Sequence, residues 1–388
     1  EDDTGGQVMA IPHGGNLSNG LMFDDKRLNG KSIDIDYAER RARWEPIYEV
    51  TQIKGDGETH PMLSPNDEFA NYYRWDRGNF GFELKSSDML PKEYAREALA
   101  RGLAIEADIG ANPFKFGQIG STDSHTSLAT TREDNYFGKA TPGEPGTVSE
   151  RYEEYIVQPA IIGEEVAIQH YETLSSGLAA AWARENTREA IWDAFLRKEV
   201  YATTGSRMVV RVFAGWDFEA DEVHRPDFAA EGYDRGVPMG ADMFARPDGA
   251  APTFMIRALR DPDGANLDRI QMVKGWVDAD GEPMTKVFDV VWSGDREPGA
   301  DGKLPPVGST VQGAEFTNTI GAAILGGYWV DPEFDPKQRA FYYVRVLEIP
   351  TPSWLAYDLA FYGNIDLPED AVLVQQERAY TSPIWYTP

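Results

Sequence analysis

The sequence predicts an α/β fold with an added antiparallel β-sandwich, and two observations lead to this. In the first half, short apolar runs are followed by polar loops and then by helical patterns, which is typical of strands alternating with helices. From about residue 207, apolar and polar residues alternate between turn signals, which is typical of antiparallel strands. The chain has 388 residues, a length that allows two or three domains.

The first half begins with a predicted short strand at residues 7–12, QVMAIP, which leads into a Gly/Asn-rich loop. A second strand is expected at 46–53, and a third in FGQIGS at 116–121. Between them, residues 91–110 have apolar or small residues at helical spacing and predict a helix that ends near Gly110. Each strand is thus followed by a polar loop.

A further helix is predicted at residues 185–200, with Asn186 as the N-cap and Glu189 completing a capping-box pair. After it, five segments alternate as antiparallel strands do: RMVVRVFAGW, TFMIRALR, RIQMVKGWVD, TKVFDVVW and FYYVRVLEI. We therefore expect an α/β part at 1–206 and a sandwich at 207–335. Residues 336–388 are rich in Pro, Trp and Tyr, and we expect them to wrap around the body.

Composition restricts the functions that remain open. The formal net charge of −27 disfavours binding to nucleic acid. The chain has no cysteine, so a transition-metal site would have to use His, Asp and Glu. No apolar run approaches 20 residues, which predicts no membrane span. High acidity without cysteine agrees with a periplasmic or secreted protein.

Three of the five histidines lie in the loops that follow the predicted strands. His13 stands in IPHGGN, His60 in GDGETHP, and Asp123 precedes His125 by two residues in STDSHT. Side chains at i and i+2 of a strand point to the same side, so Asp123 and His125 converge if the strand geometry continues that far. Imidazole and carboxylate are ligands for Zn, Mn or Fe. The alternative is that these histidines are ordinary turn residues.

Other polar residues are candidates with a structural alternative. Glu49 in the second strand and Glu58 beside His60 could be metal ligands or groups that orient the ligands. Arg207 follows a hydroxyl-rich turn, and either it is structural or it reaches substrate. His170 is left open between structure and site, and His224 is interpreted as a surface residue.

The segments IPHGGNLSNG, YEVTQIKGDGETHP and KFGQIGSTDSHT resemble the DUF3604 family, which belongs to the PHP-type metal-dependent hydrolases. ENTREAIWDAFLRKEVYATTGSR, YYVRVLEIPTPSWLAYD and QERAYTSPIWYTP continue the resemblance over nearly the whole chain. It implies that residues 1–206 are the C-terminal part of a distorted (β/α)₇ PHP-like barrel, on which the closing segment packs. A cluster of up to three metals would lie at the carboxyl ends of the barrel strands.

The resemblance also implies roles for single residues. His13, Asp123 and His125 would be ligands of two or three Zn, Mn or Fe ions. Glu58 and His60 are predicted to be catalytic or substrate-contacting, whereas Asn16 and Arg207 are predicted to bind substrate. The family's His-x-His pair does not occur in this sequence, so we expect the N-terminal part of the same protein, upstream of Glu1, to complete the cluster.

The predicted function is hydrolysis of a small-molecule phosphoester by metal-activated hydroxide. Cleavage of a carboxylic ester, carbamate or amide is the first alternative. A non-catalytic metal-binding or structural protein on the same scaffold is the second. Association into a homo-oligomer is left open.

Overall fold

The computed structural model describes residues 5–77, 84–140, 144, 146–157, 167–244, 249–363 and 365–388. Six α-helices lie in these residues: α1 Ile35–Trp44, α2 Ala95–Ile109, α3 Val148–Glu153, α4 Arg188–Leu196, α5 Phe228–Arg235 and α6 Trp354–Tyr362. Short 3₁₀ helices lie at Gly15–Leu17, Leu90–Lys92, Glu133–Asn135, His170–Glu172 and Ala220–His224.

The described residues form nineteen strands, many of them short. The first seven are β1 Ile47–Gln52, β2 Gly55–Asp56, β3 Gly117–Gly120, β4 Tyr155–Val157, β5 Ile168–Gln169, β6 Leu178–Ala181 and β7 Val200–Thr203. The next seven are β8 Val209–Gly215, β9 Gly236–Pro238, β10 Asp242–Phe244, β11 Thr253–Leu259, β12 Leu267–Val277, β13 Pro283–Trp292 and β14 Ile324–Val330. The last five are β15 Ala340–Glu348, β16 Thr351–Pro352, β17 Val374–Gln375, β18 Arg378–Thr381 and β19 Ile384–Thr387.

An eight-stranded sheet lies at the centre of the molecule. Its order is β10-β19-β15-β18-β7-β6, with β12 on β15 and β13 on β12. All of these pairs are antiparallel except β10 with β19. The closing segment of the chain therefore contributes β15, β18 and β19 to the central sheet.

The central strand β15 shows how this sheet separates two cores. Ala340, Tyr342 and Val344 point into one core, whereas Phe341 and Tyr343 point into the other. This is the period of two that a strand buried on both faces imposes. The first core is closed by a four-stranded sheet of order β14-β11-β8-β9, so the two sheets form a sandwich.

The second face of the central sheet carries α2 and a three-stranded sheet of order β2-β1-β3. Strands β1 and β3 are parallel, with Ile47 opposite Gly117 and Thr51 opposite Gly120. A Cβ atom at Gly120 would lie 2.8 Å from the backbone oxygens of Leu178 and Thr203. Glycine at 120 therefore lets β3 approach β6 and β7 closely, and this fixes the loop that follows it.

The predicted distorted (β/α)₇ barrel is wrong. No closed barrel forms in the described residues, and strands dominate over helices. The parallel pair β1–β3 has the expected local geometry, but β1 continues into the antiparallel β2, and β6 and β7 join the antiparallel central sheet. Hydrophobic periodicity identifies a strand but not its partner, because pairing is decided by distant parts of the chain.

Several local predictions are confirmed. Strands β1, β3, β8, β11, β12, β13 and β15 lie where they were predicted, and α2 ends at Gly110 in the left-handed conformation. The expected strand at 7–12 does not form. Helix α4 begins later than predicted, because the side chain of Thr187 rather than Asn186 accepts the capping hydrogen bond, from the Ala190 amide at 3.3 Å.

Candidate functional site

The loops after β1 and β3 begin side by side, because parallel strands have their carboxyl ends at one edge of a sheet. The Ser121 amide donates a hydrogen bond to the Thr51 carbonyl at 3.1 Å, at the point where both strands end. The loop that contains His13 is joined to the same edge, since the Glu49 amide donates to the Pro12 carbonyl at 3.0 Å. Three segments that the sequence marked as polar loops therefore meet here.

Asp123 lies at the centre of this edge. Its carboxylate forms ion pairs with Lys54 and with Lys139, the latter at 2.9 Å, and His125 Nε2 lies 3.3 Å from its Oδ1. We call Lys54, Asp123 and Lys139 the lysine cluster. Asp123 has a φ of 50°, so the backbone has left the strand conformation. Asp123 and His125 do meet, but through a turn and not through continued strand geometry.

Lys139 reaches the cluster because the chain folds back on itself after His125. The His125 amide donates to the Lys139 carbonyl at 2.8 Å. Lys139 is 3 % exposed and Lys54 is 7 % exposed. Burial lowers the pKa of Lys54 to about 7, to which the Lys139 charge contributes, and burial lowers the pKa of Lys139 to about 8. Both ammonium groups can therefore exchange protons near neutral pH.

The two histidines of this edge are more open to solvent. His13 is exposed, and the side chain of His125 is 62 % exposed. The Lys139 ammonium, partial burial, Lys54 and His13 together lower the pKa of His125. His125 is therefore biased toward the neutral imidazole, the form that ligates metals.

Glu49, within β1, adds a second carboxylate near this edge. Its Oε2 accepts a short hydrogen bond from the Ser121 hydroxyl. Its Oε1 is buried and has no hydrogen-bond partner among the described residues. A buried carboxylate oxygen without a partner is costly, so Glu49 is poised to accept a further donor or a cation.

The donor types at this edge suit a transition metal. His13 and His125 offer imidazoles, whereas Glu49 and Asp123 offer carboxylates. Within the described ranges, however, no three His, Asp or Glu side chains form a group that could hold a metal ion. The residues fit a metal by their chemistry, and the assembly of a complete ligand set stays a prediction.

Glu58 lies in a different environment. It is 1 % exposed, and its Oε1 accepts hydrogen bonds from Arg96 at 2.6 and 2.8 Å and a short one from the Tyr343 hydroxyl. Arg345 lies 3.3 Å from its Oε2 and pairs with Asp67 at 2.6 and 2.9 Å, and Arg96 also pairs with Asp67 at 2.8 Å. We call Glu58, Asp67, Arg96 and Arg345 the arginine network. It joins the loop after β2, the start of α2 and β15.

The charges in the arginine network balance each other. Burial by itself would raise the pKa of Asp67, but the Arg345 and Arg96 guanidinium groups outweigh it and hold that pKa well below its usual range. Glu58 therefore has the contacts of a structural ion pair, and its catalytic role stays a prediction.

His60 is buried beside this network, at 1 % exposure. Its Nδ1 accepts from the Met62 amide at 3.1 Å, so its Nε2 carries the proton and donates to Asp76 at 2.9 Å. This bond is the main cause that lowers the pKa of Asp76. Both ring nitrogens of His60 are engaged in this arrangement, and neither His60 nor Glu58 contacts Asp123 among the described residues.

The two predicted substrate-binding residues lie apart. Asn16 is 3 % exposed, and its Nδ2 donates to the Lys54 carbonyl at 3.0 Å, so it positions the backbone of the lysine cluster. Arg207 pairs with Asp261 at 3.2 Å and with Asp263 at 2.6 Å, and its side chain is half exposed. Asn16 therefore lies at the site, whereas Arg207 is held by ion pairs with the loop that contains Asp261 and Asp263.

Sequence reasoning missed the two lysines. Lys54 carried one signal, since it is a cation between the apolar Ile53 and a loop that is otherwise small and polar. Lys139 carried none, because only the fold-back at His125 brings it to Asp123. His170, which the sequence left open, is buried, and burial followed by the Arg151 and Lys139 charges lowers its pKa to about 4.

No helix in the described ranges has the length and apolarity needed to cross a bilayer. A comparison with models of protein families matches the family described as Protein of unknown function (DUF3604) over residues 1–388. No curated protein matches the chain.

Proposed function

The chain belongs to the DUF3604 family, and on that premise we propose that it is a metal-dependent hydrolase of phosphoesters. The site would be the edge where β1 and β3 end. One observation carries this proposal: the lysine cluster lies in contact with His125, beside His13 and Glu49, so cations and metal-ligating groups share one edge. Active sites of α/β units lie at this end of parallel strands.

His13, Asp123 and His125 would hold the metal, and ligands from outside the described residues would complete its coordination. A divalent metal there would supply hydroxide near neutral pH by lowering the pKa of a bound water. Glu49, with its unpartnered Oε1, would ligate the metal or orient a ligand.

The lysines favour a phosphoester over the other substrate classes. Lys54 and Lys139 place two ammonium groups at one carboxylate, and ammonium groups bind phosphate oxygens with charge-assisted hydrogen bonds. Both would bind and orient the phosphoryl oxygens once Asp123 is engaged elsewhere. A neutral ester, carbamate or amide would make less use of two cations.

The test is metal analysis and turnover of the full-length protein. We expect about two or three transition-metal ions per chain and hydrolysis of bis(p-nitrophenyl) phosphate. Asp123→Asn should lower the hydrolysis rate by about 100-fold or more while the protein stays folded. His224→Gln serves as a control, because His224 is an exposed histidine at the end of a 3₁₀ helix and lies outside this edge.

Two outcomes contradict the proposal. Protein without stoichiometric metal and without turnover would indicate the non-catalytic alternative. Turnover of p-nitrophenyl acetate or a carbamate, with none of the phosphodiester, would keep the hydrolase and replace the substrate class.

A further inference from the structure

A cavity of about 530 Å³ lies between the loop at residues 68–77 and the segment at residues 370–378. Phe69, Tyr72, Arg74, Tyr171, Gln376 and Arg378 are among the residues that line it. Its volume is in the range of small-molecule sites. None of the residues of the lysine cluster lines it.

The feature that distinguishes this cavity is the guanidinium of Arg378. Arg378 is 3 % exposed and stacks on the Tyr72 ring, with 3.7 Å from its Cζ to the ring centre. Its Nη1 donates to the Phe69 carbonyl at 2.9 Å, and its Nε donates to the Gln376 carbonyl at 3.2 Å. Among the described residues, Nη2 has no hydrogen-bond partner, and no carboxylate lies within ion-pair distance of the group.

A buried guanidinium without a direct ion pair is unusual, because buried charges are normally paired. The Arg378 charge opposes the rise in pKa that burial causes for Asp56, but Asp56 is not within ion-pair distance of Arg378. Arg96 and Arg345 in the same protein each hold at least one carboxylate. Three of the four carboxylates that line the cavity have cations of their own, and the fourth, Asp370, accepts a hydrogen bond from the Tyr171 hydroxyl at 3.2 Å. The paired carboxylates are Glu68 with Arg269, Glu172 with Arg77, and Asp76 with His60 and Arg74.

We propose that this cavity binds a small anionic molecule whose carboxylate or phosphate group pairs with Arg378. The planar guanidinium is fixed from behind by Tyr72 and by two carbonyl oxygens, so it is preorganised for an oxyanion. Arg74, whose side chain is 39 % exposed and shares Asp76 with His60, stands at the rim as a second cation. The site is independent of the proposed hydrolase function.

Isothermal titration calorimetry tests the site with three probes that share a carbon skeleton: glycerol 3-phosphate, glycerate and glycerol. We expect at least one of the two anions to bind, glycerol not to bind, and the affinity to fall as NaCl is raised. Which anion binds more tightly separates a phosphate ligand from a carboxylate ligand. Failure of both anions to bind would overturn the proposal.

Variants assign the binding to this cavity. Arg378→Gln should weaken the anion by about tenfold or more, because it removes charge-assisted hydrogen bonds. Arg188→Gln, an arginine whose side chain is 92 % exposed, is the control and should not change the affinity. Lys139→Met distinguishes this cavity from the lysine cluster, which the proposed function also assigns to phosphate. Loss of binding in Lys139→Met, with binding retained in Arg378→Gln, would place the anion at the lysine cluster and overturn the proposal.

Arg378 lies in β18, so the thermal unfolding of Arg378→Gln is measured first. If that variant does not fold, Arg74→Gln at the rim decides the outcome. A severalfold loss of affinity in Arg74→Gln would support the site, and an unchanged affinity would overturn it.

Discussion

The lysine cluster and the arginine network are both built from carboxylates and cations that are largely buried, yet they differ in how completely the charges are satisfied. In the arginine network, two guanidinium groups hold two carboxylates through several hydrogen bonds. In the lysine cluster, two ammonium groups share one carboxylate, and a second carboxylate nearby has a free oxygen. The charges of the arginine network are therefore fully paired, whereas those of the lysine cluster are only partly paired.

The arginine network has the features of a stabilising cluster, and the lysine cluster has those of a functional site. Ion pairs between arginine and carboxylate offset the desolvation cost of burying the charges only when each charged group has a partner. The arginine network meets that condition and keeps the pKa of Asp67 far below its usual range. The lysine cluster does not, and its lysines have pKa values displaced toward neutrality instead. Displaced pKa values of this kind are typical of functional sites.

Breaking the arginine network should give the largest effect on stability. Arg345→Met leaves Asp67 buried with one cation fewer, and we expect the free energy of unfolding to fall by about 3–5 kcal/mol. Urea denaturation measures this, with Arg188→Met as the surface control. A loss no larger than that of the control would show that the network is not structural.

A buried carboxylate that forms no ion pair with an arginine should make stability depend on pH, unlike the paired carboxylates of the arginine network. Glu348 is 2 % exposed and accepts a hydrogen bond from the Ser206 hydroxyl. Burial, opposed by that hydrogen bond and supported by the Asp261 charge, raises its pKa to about 8. Because the folded pKa lies above the ordinary glutamate value of 4.5, the contribution of Glu348 to the free energy of unfolding is fully present below pH 4.5. It is lost as the pH rises toward about 8.

Glu348→Gln removes this titration, so the variant should gain stability over the wild type as the pH increases from 4.5 to about 8. Urea denaturation across that pH range measures the gain. Glu282→Gln, at an exposed glutamate, should follow the wild type throughout. Parallel curves for Glu348→Gln and the wild type would contradict the displaced pKa.

The smallest effect is expected from the same kind of substitution in the lysine cluster. Lys54→Met removes a buried ammonium whose pKa is already lowered to about 7, and Lys139 stays paired with Asp123. The free energy of unfolding should change by less than about 1 kcal/mol, since the lost ion pair is offset by the lost desolvation cost. A destabilisation as large as that of Arg345→Met would remove the distinction between the two regions.

Much of the local structure was predictable from the sequence. The alternation in TFMIRALR and FYYVRVLEI identified β11 and β15, and the spacing over 91–110 identified α2, because burial of one face imposes a period that a single segment records. The pair Asp123 and His125 was also visible, since the two residues are neighbours in the chain. The family of the chain was also predictable, because several of its segments are specific enough to identify the DUF3604 family.

The partners of those elements were decided only by the tertiary structure. The sequence could not show that β15 lies between β12 and β18 in one antiparallel sheet. Local strand-loop-helix order predicted only an α/β architecture, and the barrel was what the family resemblance implied. Nor could it bring Lys139 to Asp123, or separate Glu58 and His60 from that edge. Strand pairing and ion pairing join residues far apart in the chain, so their energies depend on contacts that no local pattern contains.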